Sequence, residues 1–259
     1  MDRWTWRPPA ALPTLLTLLA VAPPLAAQID YRNLDRGRPF RVTDAVAVER
    51  YAFEVSLPWR FAAGGGERAH LLAPEIEYGI ARNLVVGLDL ELAAGGDALG
   101  ESHAAVSLFY NALRETPAAP AVSFALEIGQ PTAASLFGDV AATLTGIASR
   151  SVGRSRLHAN AAVTAGGDES AWAAGFAWDY TLFRTSTLVG AELLAEDRRA
   201  GGDVRWGVGA GLRRQVSPTL VLQAGVRRWL HADPGASEIT LGLSHAFAIA
   251  GLMPGRRAP

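Results

Sequence analysis

Glu75 and Glu77, two residues apart in the stretch Pro74-Glu75-Ile76-Glu77-Tyr78, are the first side chains of this sequence able to do chemistry as a pair. Carboxylates at that spacing can hold a cation, share a proton, or charge one wall of a strand, because side chains of an extended chain alternate sides. Asp89 and Glu91 repeat the spacing, Glu54 and Glu127 stand singly, and Arg205, Arg213 and Arg227 supply the opposite charge late in the chain. His158 and Asn160 share a face and are two of the three residue types of a Ser/His/Asn hydrolase. No serine lies two residues from that histidine to serve as nucleophile, so the chain reads as a non-enzyme. His70 and His103 bring no matching ligands, and the glycine pairs lie between strands rather than ahead of a helix. No metal, nucleotide or other cofactor is expected.

The elements that carry these charges have a period of two. From Leu72 to Ile80 the apolar residues fall on even numbers, and after Ala81-Arg82-Asn83 the parity resumes from Leu84 to Leu92 with Asp89 and Glu91 on the odd face. Two strands joined by a tight turn account for the pattern. The same alternation runs through Tyr51–Leu57, Ala104–Tyr110, Val122–Ile128, Val140–Gly146, Leu157–Val163, Trp172–Leu182, the region of Leu188 and Gly190, Val204–Leu212, Leu220–Val226 and Ile239–Phe247. That makes twelve segments of about ten residues, the length at which a tilted strand crosses a hydrocarbon layer about 25 Å tall. Facing is ambiguous only around Leu188 and least distinct in the small-residue stretch Val140–Gly146. Glycine-rich connections (Gly64 to Gly66, Gly95-Gly96, Gly166-Gly167, Gly201-Gly202) alternate with short ones (Ala81 to Asn83, Arg184-Thr185, Val216 to Pro218), as expected of a barrel with two different ends.

Alternation alone suits a soluble sandwich equally well, and the contents of the faces separate the two. The apolar face is bulky and carries Trp59, Tyr78, Tyr110, Trp172, Tyr180 and Trp206 toward strand ends, like an interfacial girdle. The polar face mixes Gly and Ala with isolated charges, where a wet outer surface would carry many more. The fold class expected is all-β, an antiparallel up-and-down transmembrane β-barrel of about twelve strands occupying 49–248. Its lumen is then lined by Glu54, Glu75, Glu77, Asp89, Glu91 and Glu127 on one wall and by Arg205, Arg213 and Arg227 on the other. Such charges either set a field across a narrow pore or close the barrel with internal salt bridges.

Arg3 and Arg7 followed by the apolar run Ala10 to Ala22 and the small residues Ala26-Ala27 have the plan of a secretory signal peptide over 1–27. The run is too short to span a bilayer. Residues 28–48, with Arg32, Arg36, Arg38 and Arg41, read as a polar arm or plug, and 249–259 form a tail. With 24 Lys+Arg against 25 Asp+Glu the chain has no basic footprint for nucleic acid, and the absence of cysteine excludes disulfides.

In Arg50-Tyr51-x-Phe53-Glu54, Glu75-x-Glu77-Tyr78-Gly79-Ile80 and Leu84 to Leu90 the chain resembles the bacterial outer-membrane transporters that include the MetA-pathway of phenol degradation family. The resemblance implies passage of small, often hydrophobic or aromatic, molecules across the outer membrane of a Gram-negative cell, and brings no catalytic residues. The tail after Phe247 departs from the usual barrel, whose last strand ends on an aromatic. The expected partners are membrane lipid and a small-molecule solute. The rivals are a non-conducting structural or adhesive barrel and a soluble periplasmic β-protein.

Overall fold

The computed structural model describes residues 29–34, 38–95, 102–131, 140–166, 169–197, 204–230, 236–249 and 252–253. The expected signal peptide 1–27 lies outside them, as do Arg36 and most of the tail. The described strands are β1 (Ala52–Gly64), β2 (Glu67–Leu72), β3 (Glu75–Ala81), β4 (Leu84–Gly95), β5 (His103–Leu113), β6 (Ala121–Pro131), β7 (Ala141–Val152), β8 (Ser155–Gly166), β9 (Glu169–Leu182), β10 (Thr187–Asp197), β11 (Arg205–Ser217), β12 (Leu220–Leu230) and β13 (Ala236–Ala248). Each is antiparallel to its neighbours, and β1 pairs with β13 from Ala52↔Ala248 to Gly64↔Ala236, which closes the sheet on itself. Closure leaves no edge whose backbone groups would face hydrocarbon unpaired.

β2 and β3 occupy a single place in the wall, both lying between β1 and β4, so the thirteen segments make a twelve-stranded barrel. The alternation Leu72–Ile80 predicts one unbroken strand there, whereas the structure begins that strand at Glu67 and breaks it at Ala73-Pro74. Pro74 has no N–H to give to a ladder. The break stays attached because Ala73 N–H donates to the Pro58 carbonyl and Leu90 N–H to the Pro74 carbonyl, each at 3.0 Å.

The bulky face points outward. Leu88, Val106, Leu108, Phe124, Ile128, Leu144, Val163, Phe176, Leu212, Val226 and Leu241 are all exposed, while Ser56, Ser123, Asp179, Arg213 and Ser244 are fully buried on the opposite face. Hydrophobic side chains outside and polar ones inside invert a soluble core. Around β1 two aromatic groups mark the two levels of the outer face. Phe53 stacks on Tyr78 and Phe247 near one end, and Trp59 stacks on Phe61 and His70 toward the other. The β7 segment also resolves, with Val140 and Leu144 outward and Thr143 and Thr145 on the internal cavity.

Candidate functional site

The interior is built around the chain's own N-terminal arm. Ile29 N–H donates to the carbonyl of Pro218 in the short β11–β12 turn, and Gln215 Nε2 donates to the Ile29 carbonyl, which fixes where the arm enters. There Asp30 accepts hydrogen bonds from the Arg32 backbone and guanidinium. Burial pushes the Asp30 carboxyl up, but those bonds and the Arg32 charge outweigh it and hold the group below its ordinary value. The arm then folds back on itself, Leu34 N–H donating to Asp44 Oδ2 at 3.0 Å and Asp44 N–H to the Leu34 carbonyl at 2.7 Å. It leaves beside β3, where Tyr51 N–H donates to the Gly79 carbonyl. Tyr51 turns the chain into β1 at φ 67, a conformation uncommon for a bulky residue and held here by its bond to Gly79 and by Arg50 over its ring.

Glycines of the wall make room for the arm. Gly190, Gly211 and Gly225 lie side by side in register on β10, β11 and β12, and Pro39 and Phe40 rest on them. A Cβ added at Gly225 would stand 2.6 Å from Cβ of Pro39. Gly225→Val is therefore expected to lift the arm while sparing the barrel. Overpacking of this kind costs about 1–3 kcal/mol, roughly a 5- to 150-fold shift toward the undocked arm. Limited trypsinolysis after Arg41 checks this, since faster cutting in folded, heat-modifiable barrel is the expected result and an unchanged rate contradicts it.

The arm's polar groups are matched one by one by inward-facing side chains. Arg38 is fully buried and donates to Glu54 at 3.0 Å and to Ser56, and pairs with Glu75 at 2.9 Å and Glu77 at 3.2 Å. The backbone N–H groups of Arg41 and Val42 both donate to Glu192, that of Thr43 to Asn160, and that of Ala45 to Ser149 Oγ. The Ala45 carbonyl accepts from Asn111 and Ser123. Each bond satisfies a backbone group that would be costly to bury alone. Beneath Ala45, Ser149 Oγ and His158 Nδ1 are 2.8 Å apart, as are His158 Nε2 and Asp179 Oδ2, and Arg156 joins Asp179 to Asp44. This is a serine, histidine and aspartate in hydrogen-bonded sequence, assembled from β7, β8 and β9. The serine is capped by the arm and the aspartate is held by an arginine, so the group fastens Ala45 and Asp44 to the wall.

On the far side, Glu192, Gly209, Arg227 and Glu238 lie in one register row across β10 to β13. Arg227 reaches over Gly209 to Glu192 at 2.7 Å and pairs with Glu238 at 2.6 Å. Trp229 donates to Glu238, and the guanidinium groups of Arg41 and Arg205 stand over its ring, 5.3 and 4.1 Å from its centre. Arg205 also pairs with Glu196, and Arg213 donates to the Asn33 carbonyl. The three arginines read from the sequence thus meet carboxylates or arm carbonyls. The partners Glu192, Glu196 and Glu238 and the arm's own Arg38 and Arg41 were outside the predicted set.

Above the arm lies a cavity of about 390 Å3. Glu75, Glu77, Asp89, Glu91 and Glu127 border it, with Arg60 paired to Glu91, while Glu54 is buried behind Arg38. Ser107, Thr143, Thr145, Thr164 and Asn160 continue the polar lining, and Val46, Phe109 and Ile147 give it an apolar floor. The structure brings the acidic residues of β3, β4 and β6 together around one space and sets Arg213 and Arg227 apart from it.

No family model matches the chain, and no curated protein matches it in sequence. Solved structures do match. A crystal structure of an outer membrane channel from Pseudomonas putida superposes with a TM-score of 0.59 at 14% identity, over 83% of this chain and 100% of that one. The fold is that of an outer-membrane porin-like barrel. NanC porin gives a TM-score of 0.58 at 6% identity, covering 74% of this chain and 98% of its own. KdgM porin gives 0.53 at 11%, covering 74% and 99%, and a second KdgM structure is a complex with disordered oligogalacturonate. These porin-like barrels are porins and channels rather than enzymes, and at such identities the likeness speaks for architecture alone.

Proposed function

We propose that this chain is exported behind a signal peptide, 1–27, to the outer membrane, where its barrel, 49–248, passes small solutes and residues 28–48 act as a plug. The observation that carries the reading is the arm itself, pinned across the interior of a closed barrel beneath a cavity of about 390 Å3. A wall meant only to be filled has no need of a separable segment. Twelve strands fall between barrels whose interiors are filled by side chains and porins with open channels, so a narrow, occluded passage is the expected geometry. In this reading Glu54, Glu75, Glu77, Asp89, Glu91, Glu127, Arg205, Arg213 and Arg227 line the lumen. The finer role implied by resemblance to the phenol-degradation transporters, passage of hydrophobic or aromatic molecules, is supported by Val46, Phe109 and Ile147 on the cavity floor.

The density of ion pairs between arm and wall favours a second reading, a structural barrel sealed by its own charges. Planar-bilayer recording separates the two. Glu75→Gln with Glu77→Gln removes two carboxylates from the cavity wall, and the expected outcome is a clear fall in preference for cations over anions, largest at low salt where screening is weak. Near-zero conductance in both forms would favour the sealed barrel.

A further inference from the structure

We propose that Glu54, Glu75 and Glu77 form a receptor for a small organic cation, occupied at rest by Arg38 of the chain's own arm, so that a guanidinium or ammonium solute unseats the plug by exchange. The proposal rests on the passage reading above and names the solute class for it. A seated guanidinium shows what chemistry the site holds. Arg38 contacts three carboxylates and Ser56, a geometry suited to a planar, multiply donating cation.

Charge and access distinguish this cluster from the one around Arg227, another buried arginine of the interior. Arg227 meets Glu192 and Glu238, whose side chains are 0% and 9% exposed. Around Arg38 the side chains of Glu75 and Glu77 are 17% and 16% exposed and border the cavity, while the guanidinium behind them is 1% exposed. A solute in the cavity thus meets two of the three carboxylates before the arm has moved. Six carboxylates, Glu75, Glu77, Asp89, Glu91, Glu127 and Glu196, border the cavity against the two guanidinium groups of Arg41 and Arg60, so the space carries excess negative charge and draws a further cation. Withdrawing Arg38 without replacement lets water reach the cluster but leaves three carboxylates repelling one another at close range, which is unfavourable. Plug release is therefore coupled to arrival of another cation. The apolar floor of Val46, Phe109 and Ile147 takes the body of that solute, and the hydroxyls of Thr143, Thr145 and Thr164 border its flank.

The test reads the arm rather than the current. The sequence has no cysteine, so Val42→Cys places one near-isosteric thiol on the arm at a fully buried position. The refolded chain in detergent is labelled with a maleimide while n-butylguanidinium, or its neutral analogue n-butylurea, is titrated to millimolar concentration. The expected result is slow labelling at rest, accelerated several-fold and saturably by butylguanidinium and unaffected by butylurea. Equal responses to the two compounds overturn the proposal. In the Arg38→Met background labelling is expected to be fast from the start and indifferent to either compound, and slow labelling there overturns the latch. Glu75→Gln with Glu77→Gln is expected to abolish the acceleration by butylguanidinium, and its persistence overturns the site. Heat-dependent gel mobility reports folding of each variant, and Glu75→Gln alone, with a weakened response, decides the matter if the double variant does not fold. Exchange without conductance would sink the passage reading and leave the receptor standing, whereas conductance without exchange would do the reverse.

Discussion

A barrel lacking residues 28–48 is expected to pass several-fold more current per channel than the same barrel with its arm in place, and to prefer cations. The arm fills the lower interior, where Leu34, Arg38, Phe40, Val42, Asp44 and Ala45 are all fully buried against the wall. Removing it joins the cavity to the end of the barrel at which Ile29 meets Pro218. The wall tolerates the loss because its arm-facing groups, among them Glu54, Glu192, Ser149, Asn160 and Asn111, become hydrated in a water-filled lumen rather than stranded in a dry core. Loss of Arg38 and Arg41 leaves the carboxylates they met without those cations, which is the source of the selectivity. Selectivity should weaken as salt rises, since the Debye length is about 10 Å at 0.1 M and about 3 Å at 1 M. Single-channel recording of both chains under the same salt gradient measures the two effects together. Equal conductance would mean that the arm is not the barrier to flow.

The barrel was legible in the sequence because its signal is local and repeated. Period-two alternation on Leu84–Leu92, Val122–Ile128 or Val204–Leu212 needs only neighbouring residues to be read, and each of these segments presents its bulky side outward. The strand around Leu188 stayed ambiguous for a physical reason. Its inner face carries Leu188 and Leu194 beside Glu192 and Glu196, since the arm brings Phe40, Leu34 and Val42 to pack there, and a face that meets both plug and charge has no single polarity. The arm's docking was hidden altogether. Arg38 and Arg41 stand in a stretch without periodicity, and their partners come from strands up to roughly two hundred residues away. What signal existed lay in the glycines. Gly207, Gly209, Gly211 and Gly225 sit at inward positions where a barrel of this size needs side chains to fill space, and their bareness marks the surface on which Pro39 rests, against which the Trp229 ring lies, or over which Arg227 reaches to Glu192. Similarly, Ser149, His158 and Asp179 belong to three strands, and no spacing within one strand could join them.

Arg227→Met is expected to be the most destabilising single substitution of the interior, by about 3–5 kcal/mol, the usual cost of removing one partner from a buried ion pair. The guanidinium is 4% exposed and serves two carboxylates at once, Glu192 through Nε and Nη2 and Glu238 through Nη1. Methionine keeps most of the volume, so the loss is electrostatic rather than a cavity. What remains for Glu192 is the pair of arm N–H groups from Arg41 and Val42, and for Glu238 the Trp229 indole and the more distant Arg41 guanidinium at 3.9 Å. Hydrogen bonds of that kind soften the loss without neutralising two buried charges. The row also holds the arm, because Glu192 anchors its backbone, so the variant should unfold earlier in urea and expose residue 41 to trypsin sooner. Adding Glu192→Gln and Glu238→Gln removes the stranded charges, and the triple variant is expected to recover most of the lost stability. Equilibrium urea unfolding in detergent, followed by heat-dependent gel mobility, compares the three chains. If the triple variant is no more stable than Arg227→Met alone, the row contributes through packing and the electrostatic account of it fails.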